Sequence, residues 1–223
     1  MQNKNIKTAA VITEYIKKTL KFNDSEVLQI NIKYPEIKII ADNKTEKKIN
    51  DFYSSAIQNF INYCEKILYK NAALEFSKRK KAGEEFRPFG AVVTFETTYN
   101  KHDFLCVCLD INIYAGKGRG NAVRKAHIWS CKGGELVRPE KFIKFTRPTK
   151  NKICEYIHET MINQIKNGEE NYIKSDLRSV YKNLNMKNFE LSETGYSFFF
   201  PQDTVAPFES GIVSFAVPEK ILS

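Results

Sequence analysis

Thiols, imidazoles and carboxylates are the side chains of this sequence that could do chemistry. Cys106 and Cys108 lie two residues apart in a stretch of alternating polarity, which puts both sulfurs on one face of a strand. Were Cys131, Cys154 and His127 folded close to them, a thiolate-rich metal site could form. The sequence has no C-x-x-C pair, however, and buried thiols commonly serve as small apolar core residues. No metal and no cofactor is therefore expected. Nucleophilic catalysis would need Ser or Cys beside a base, and His102, His127 and His158 are the three imidazoles. His102 sits beside a turn, His127 alternates with Ala126 and Ile128 on a strand, and His158 falls in a helix, none with a motif-defined partner. The carboxylates Asp103, Asp110, Glu135 and Glu140 cannot be paired from spacing alone. The residues lean against an enzyme without deciding the matter.

The run Gly116-Lys117-Gly118-Arg119-Gly120-Asn121 is glycine-rich and basic, but it matches neither G-x-x-x-x-G-K-[ST] nor G-x-G-x-x-G. It joins two strands where a phosphate cradle opens a helix, so an exposed turn needing positive φ is the plainer reading. Lys117, Arg119, Arg124 and Lys125 fall within nine residues on and beside this turn and are the candidate partner-binding residues. Exposed loops on rigid scaffolds commonly carry recognition, although a solvated basic turn has the same composition.

The whole chain is basic. Thirty-five Lys and Arg against 26 Asp and Glu give a formal charge of +9, which favours an acidic protein or another acidic partner. Nucleic acid is not expected, because no motif interleaves aromatic with basic residues in the manner of known modules. With 42% hydrophobic and 13% aromatic residues, the 223 residues can bury a sizeable core. The first twenty residues are crossed by Lys4, Lys7, Glu14, Lys17 and Lys18 and do not form a signal peptide. No stretch approaches the ~18 apolar residues of a membrane-spanning helix. Five cysteines, an odd number without a secretory signal, fit reduced thiols. A soluble, cytoplasmic protein is expected, or an extracellular one if an export signal is missing from the sequence.

The elements that must position these residues follow from periodicity. Leu28, Ile30, Ile32 and Tyr34 alternate with polar neighbours as one strand face, and Pro35 marks that strand's edge or end. Ile6–Phe22 fits either a helix or a strand, and a strand is preferred. Ile49, Phe52, Tyr53, Ala56, Phe60, Ile61, Cys64, Ile67 and Leu68 follow the three-and-four spacing of a long helix, capped by Asp42 or Asn43 and closed by Lys78–Lys81 and Gly83. Pro88–Tyr99 and Asp103–Tyr114 read as a hairpin turning at Asn100-Lys101. In its second strand Leu105, Val107, Leu109, Ile111 and Ile113 are expected in the core. A strand at Val123–Cys131 turns at Gly133-Gly134. Two helical patterns follow, Ile153 to Ile165 and Tyr172 to Leu184, separated by Gly168. Strands at Phe189–Leu191, Tyr196–Phe200 and Ile212–Val217 end the chain.

In this order several strings resemble the RsiV-like family, typified by the extracellular region of the anti-sigma factor RsiV and related to the N-terminal part of the peptidoglycan deacetylase PdaC. They are Ile32-Lys33-Tyr34-Pro35-Glu36-Ile37, the helix opening near Ile49-Asn50, Leu136 through Phe142, Phe189-Glu190-Leu191 before Thr194-Gly195, and Ala206-Pro207-Phe208-Glu209-Ser210-Gly211 with Pro218. The similarity spans nearly the whole chain. Two positions depart from it. Gly116-Lys117-Gly118-Arg119 stands where relatives carry a Gly-Gly-Ala-His-like turn, and Asp203-Thr204 where they carry Tyr-Glu. Family members are often exported or anchored, whereas the start at Met1 without a leader fits work inside the cell.

The expectation is an α+β protein, an antiparallel sheet packed by a long helix from the N-terminal half and a pair of helices from the C-terminal half. Residues 1–223 are expected to be one unit, with a boundary, if any, between 1–84 and 85–223. The expected function is a non-enzymatic binding or regulatory module, protein recognition being what the resemblance implies. The alternative is a hydrolase-like enzyme acting on a cell-wall or other glycan substrate.

Overall fold

The computed structural model describes residues 8–116 and 120–222. β1 (Ala10–Phe22) and β2 (Ser25–Lys38) form a long hairpin whose turn residues Asn23 and Asp24 have φ of 47° and 62°. Short polar side chains tolerate that left-handed backbone, and the turn's twist matches the strands. β1 and β2 pair antiparallel along their length, from Ala10 opposite Lys38 to Phe22 opposite Ser25.

A helix leads away from β2. α1 (Asn43–Tyr63) starts where the Asp42 carboxylate accepts the Thr45 N–H at 3.1 Å. Its buried residues, Thr45, Ile49, Tyr53, Ile57 and Ile61, recur every four positions, slightly more than an α-helical turn. The stripe therefore drifts around the helix. A wider π turn at Cys64–Leu68 takes up part of that drift and keeps Cys64, Leu68 and then Ala72 buried in α2 (Tyr69–Ala82). Gly83, at φ 69°, ends α2. Ile57 belongs to the buried stripe while Ile67, expected there, is exposed.

The helix is long enough to return the chain for a parallel pairing, and β3 (Phe89–Lys101) lies parallel to β2 over Leu28–Ile32. The α+β class holds, and the sheet is mixed. Pro35 does not end β2, which runs on to Lys38. The reason is directional. Pro35 and Ile37 alternate in phase, and the Ile37 N–H points away from β1, beyond the stretch paired with β3, so the donor that Pro35 lacks has no ladder to serve. At Ile37 itself the side-chain amide of Asn50 in α1 substitutes for a strand. Its Oδ1 accepts from the Ile37 N–H at 2.8 Å and its Nδ2 donates to the Ile37 carbonyl at 2.9 Å.

β3 turns into β4 (Phe104–Tyr114) at His102-Asp103, with φ of 52° and 66°, two residues later than the Asn100-Lys101 turn expected. β5 (Asn121–Ser130) completes a five-stranded sheet of order β1-β2-β3-β4-β5. α3 (Arg147–Lys166), capped by Thr146, and α4 (Leu177–Asn183), capped by Asp176, follow. Tyr172 precedes α4 and is not part of it. β6 (Phe189–Ser192), β7 (Gly195–Phe200) and β8 (Val213–Pro218) form a separate antiparallel sheet.

Two compact units result. One comprises Ala9–Glu96 and Leu109–Ala122, with a core of Val27, Leu28, Ile30, Ile32, Ile57, Ile61, Cys64, Leu68 and Val93. The other takes Thr97–Cys108 and the chain from Val123, and its core gathers Cys106, Ile128, Ile153, Ile157, Met161, Phe189, Phe198, Phe200 and Phe215. Leu105, Cys106, Val107, Cys108 and Leu109 are all buried, so β4 is covered on both faces over this span, whereas Ile111 and Ile113 are half-buried. The alternating pattern predicted one buried face. Cys106 and Cys108 are concealed by the β6 region, an element no local periodicity in β4 could announce.

Candidate functional site

A buried polar centre sits where β4, β5, β6 and β8 approach one another. The Cys108 Sγ donates to Glu190 Oε2 at 2.8 Å, and the Arg124 guanidinium lies 3.5 Å from the same oxygen and donates to Ser214 Oγ at 3.3 Å. Alternation along each strand aims these side chains inward. Glu190 is one of few buried charged residues, and its charge is matched by Arg124, as a buried carboxylate requires.

The single Cys108 proton has two acceptors in reach, the Cys106 sulfur and the Glu190 carboxylate. The bond with Cys106, then burial and the neighbouring negative charge, push the Cys108 thiol far up. The same bond from Cys108, aided by Thr98 and the Leu191 N–H, holds the Cys106 thiol down against its own burial. Burial, the main cause, raises Cys64 and Cys154 to about 11. All five cysteines are free and buried. Among the described residues no group of three or more His, Cys, Asp or Glu is arranged to hold a metal ion.

The imidazoles are dispersed. His102 bonds Tyr99 at 2.8 Å, and His158 Nδ1 lies 2.7 Å from the Ser175 carbonyl. His127 borders a cleft of about 480 Å³ at the margin of β5, lined by Ala126, His127, Ile128, Leu136–Glu140, Lys187 and Phe189. The cleft exists because residues 135–137 continue β5's edge, with Val137 N–H donating to the Ile128 carbonyl at 2.7 Å, before Pro139 turns the chain away. Burial, then the charge of Lys125 two residues along the same strand face, depress His127 to about 4. His127 is therefore neutral at physiological pH.

Of the four residues singled out from sequence, Arg124 faces inward to Glu190, Lys125 is exposed, and Lys117 and Arg119 lie outside the described residues. Sequence reasoning did not find Glu190, Arg138 or Lys187. A lone Glu between Phe189 and Leu191 in an apolar strand was the one available sign of a buried acid.

Fold and site together define a class: an α+β protein with an internal polar centre and an accessible, partly apolar cleft rimmed by cations. Residues 22–122 match the family model described as Deacetylase PdaC, and residues 140–220 match the one described as Protein of unknown function (DUF3298). These matches bear out the resemblance to the RsiV-like family. Two solved structures share the fold. A DUF3298 family member from Bacteroides fragilis has a TM-score of 0.66 at 13% identity, covering 96% of this chain and 91% of that one. A DUF3298 family protein from Pseudomonas aeruginosa has 0.57 at 9%, with the same coverages. No curated protein matches. No helix among the described residues is long and apolar enough to cross a membrane.

Proposed function

We propose that the chain is a non-enzymatic recognition module that grips an acidic segment of a partner protein in the β5-margin cleft. The supporting observation is the composition of that cleft. Leu136, Val137, Pro139 and Phe189 offer an apolar floor, the exposed cations Arg138 and Lys187 line it, Lys125 lies beside it, and Glu140 is its one acid. An apolar floor gives affinity by desolvation, and rim cations steer an acidic ligand into it. A neutral His127 adds a polar contact without adding charge.

Affinity capture from native extract, comparing the wild type with the Lys125→Ser, Arg138→Ser, Lys187→Ser triple variant, tests this reading. The expected result is a partner whose association with the variant is slower and less sensitive to salt. Equal association rates and salt dependence would refute it. The sequence-based proposal that Lys117 and Arg119 steer an acidic partner is tested in the same assay with the Lys117→Ser, Arg119→Ser pair. The second reading, a hydrolase acting on a cell-wall or other glycan, draws on the deacetylase description of the model that residues 22–122 match. Release of acetate from acetylated glycan oligomers by the purified chain would favour it over recognition.

A further inference from the structure

β1 is a 13-residue strand at the margin of the five-stranded sheet, and among the described residues no strand pairs with its outer side. A long open edge is a template for another strand, and proteins usually blunt it with charge or a bulge. β1 has Lys17, Lys18 and Lys21 and an irregularity between Leu20 and Lys21. The stretch from Ile12 to Leu20 is regular, and its pattern is matched to itself.

We infer that this edge pairs with the same edge of a second copy, antiparallel about a two-fold axis through Ile16. On the helix-facing side, where Ile16 and Leu20 sit opposite Ile32 and Leu28 of β2, this register sets Ile16 against Ile16, Ile12 against Leu20 and Glu14 against Lys18. On the other side it sets Thr13 against Thr19 and Tyr15 against Lys17. Apolar meets apolar, acid meets base, and the exposed Tyr15 ring receives an ammonium. Ile12 and Tyr15, 44% and 68% exposed, would gain cover.

Other registers lose these matches. A one-residue slip sets the core side of one copy against the outer side of the other. A slip by two one way opposes Glu14 to Ile16 and Ile12 to Lys18; the other way, it opposes Lys17 to itself and Ile16 to Lys18. Lys18 already bonds Glu65 of the π turn at 2.8 Å, and both side chains keep enough exposure to admit the second copy's Glu14 into a three-membered network. The interface is isologous, so Ile16 meets itself once on the axis and every other favourable pair occurs twice.

Sedimentation velocity of the full chain from micromolar to near-millimolar concentration tests the inference. The wild type is expected to pass from monomer to dimer. Glu14→Lys and Lys18→Glu, each setting like charges opposite one another at two symmetric places, should weaken dimerisation about tenfold or more. The double swap Glu14→Lys, Lys18→Glu should restore it relative to Glu14→Lys alone. Far-UV circular dichroism checks that each variant is folded. An Ile16→Cys variant should form an intermolecular disulfide on mild oxidation, because it faces itself on the axis, whereas Thr13→Cys should not. A wild type that stays monomeric throughout, or a dimer indifferent to the charge swaps, would overturn the inference.

Discussion

The Cys108 thiol and the Glu190 carboxylate, 82 residues apart in sequence, meet at 2.8 Å inside the protein. Arg124 completes the contact from β5, with 15% of its side chain and 7% of that of Glu190 exposed. A charge so enclosed is tolerated because it is paired.

Removing one partner should therefore cost more than a surface ion pair is worth. Glu190→Ala is expected to lower stability by about 2–4 kcal/mol, because the part-buried Arg124 loses the carboxylate of Glu190 and Cys108 loses one of its two acceptors. Urea denaturation of the wild type and the variant measures this. A loss under about 0.5 kcal/mol would mean that water replaces the carboxylate at no cost.

His127 makes stability depend on pH in a defined direction. Burial, then Lys125, depress it from 6.5 to about 4 in the folded protein, so between those values the unfolded chain binds more protons. Its contribution is fully present above about pH 6.5 and is lost as pH falls toward 4, up to about 3 kcal/mol. His127→Gln removes the titrating group. Between pH 7 and pH 4.5 the variant should lose less stability than the wild type, and parallel pH profiles would contradict the assignment.

Asn50 closes the end of β2 from the helix. Asn50→Leu should cost about 2–4 kcal/mol, because it strands both the N–H and the carbonyl of Ile37, a fully buried residue. Amide hydrogen exchange at Ile37 should accelerate selectively. Unchanged protection there would show that another group carries the bond.

Two residues on the same side of β4 give a packing test. Leu109 is buried and Ile111 half-buried, so Leu109→Ala should cost about 2–4 kcal/mol and Ile111→Ala clearly less. Equal losses by chemical denaturation would place both in the core, as alternation alone predicts.

What the sequence determined by itself is the local level. Alternation at Leu28–Tyr34 identified β2, the three-and-four spacing identified the helix from Ile49 onward, and Asp42, Gly83 and Gly168 read correctly as cap signals. These features depend on neighbours within a few residues, so their physics is written in adjacent positions. The hairpin turn was misplaced by two residues because Asn100-Lys101 and His102-Asp103 can both reverse a chain, and strand register chooses between them.

Tertiary structure decided the rest. The parallel pairing of β2 with β3 across a forty-residue helical excursion (43–82), the separate β6–β8 sheet, and burial on both faces of β4 all depend on segments far apart in the chain. The same holds for the contact that joins Cys108, Arg124 and Glu190. Arg124 read as one of a basic cluster, because charge pattern records which residues are cationic and not which way they face. Its direction is set by a buried acid 66 residues away, whose desolvation only the folded chain could impose.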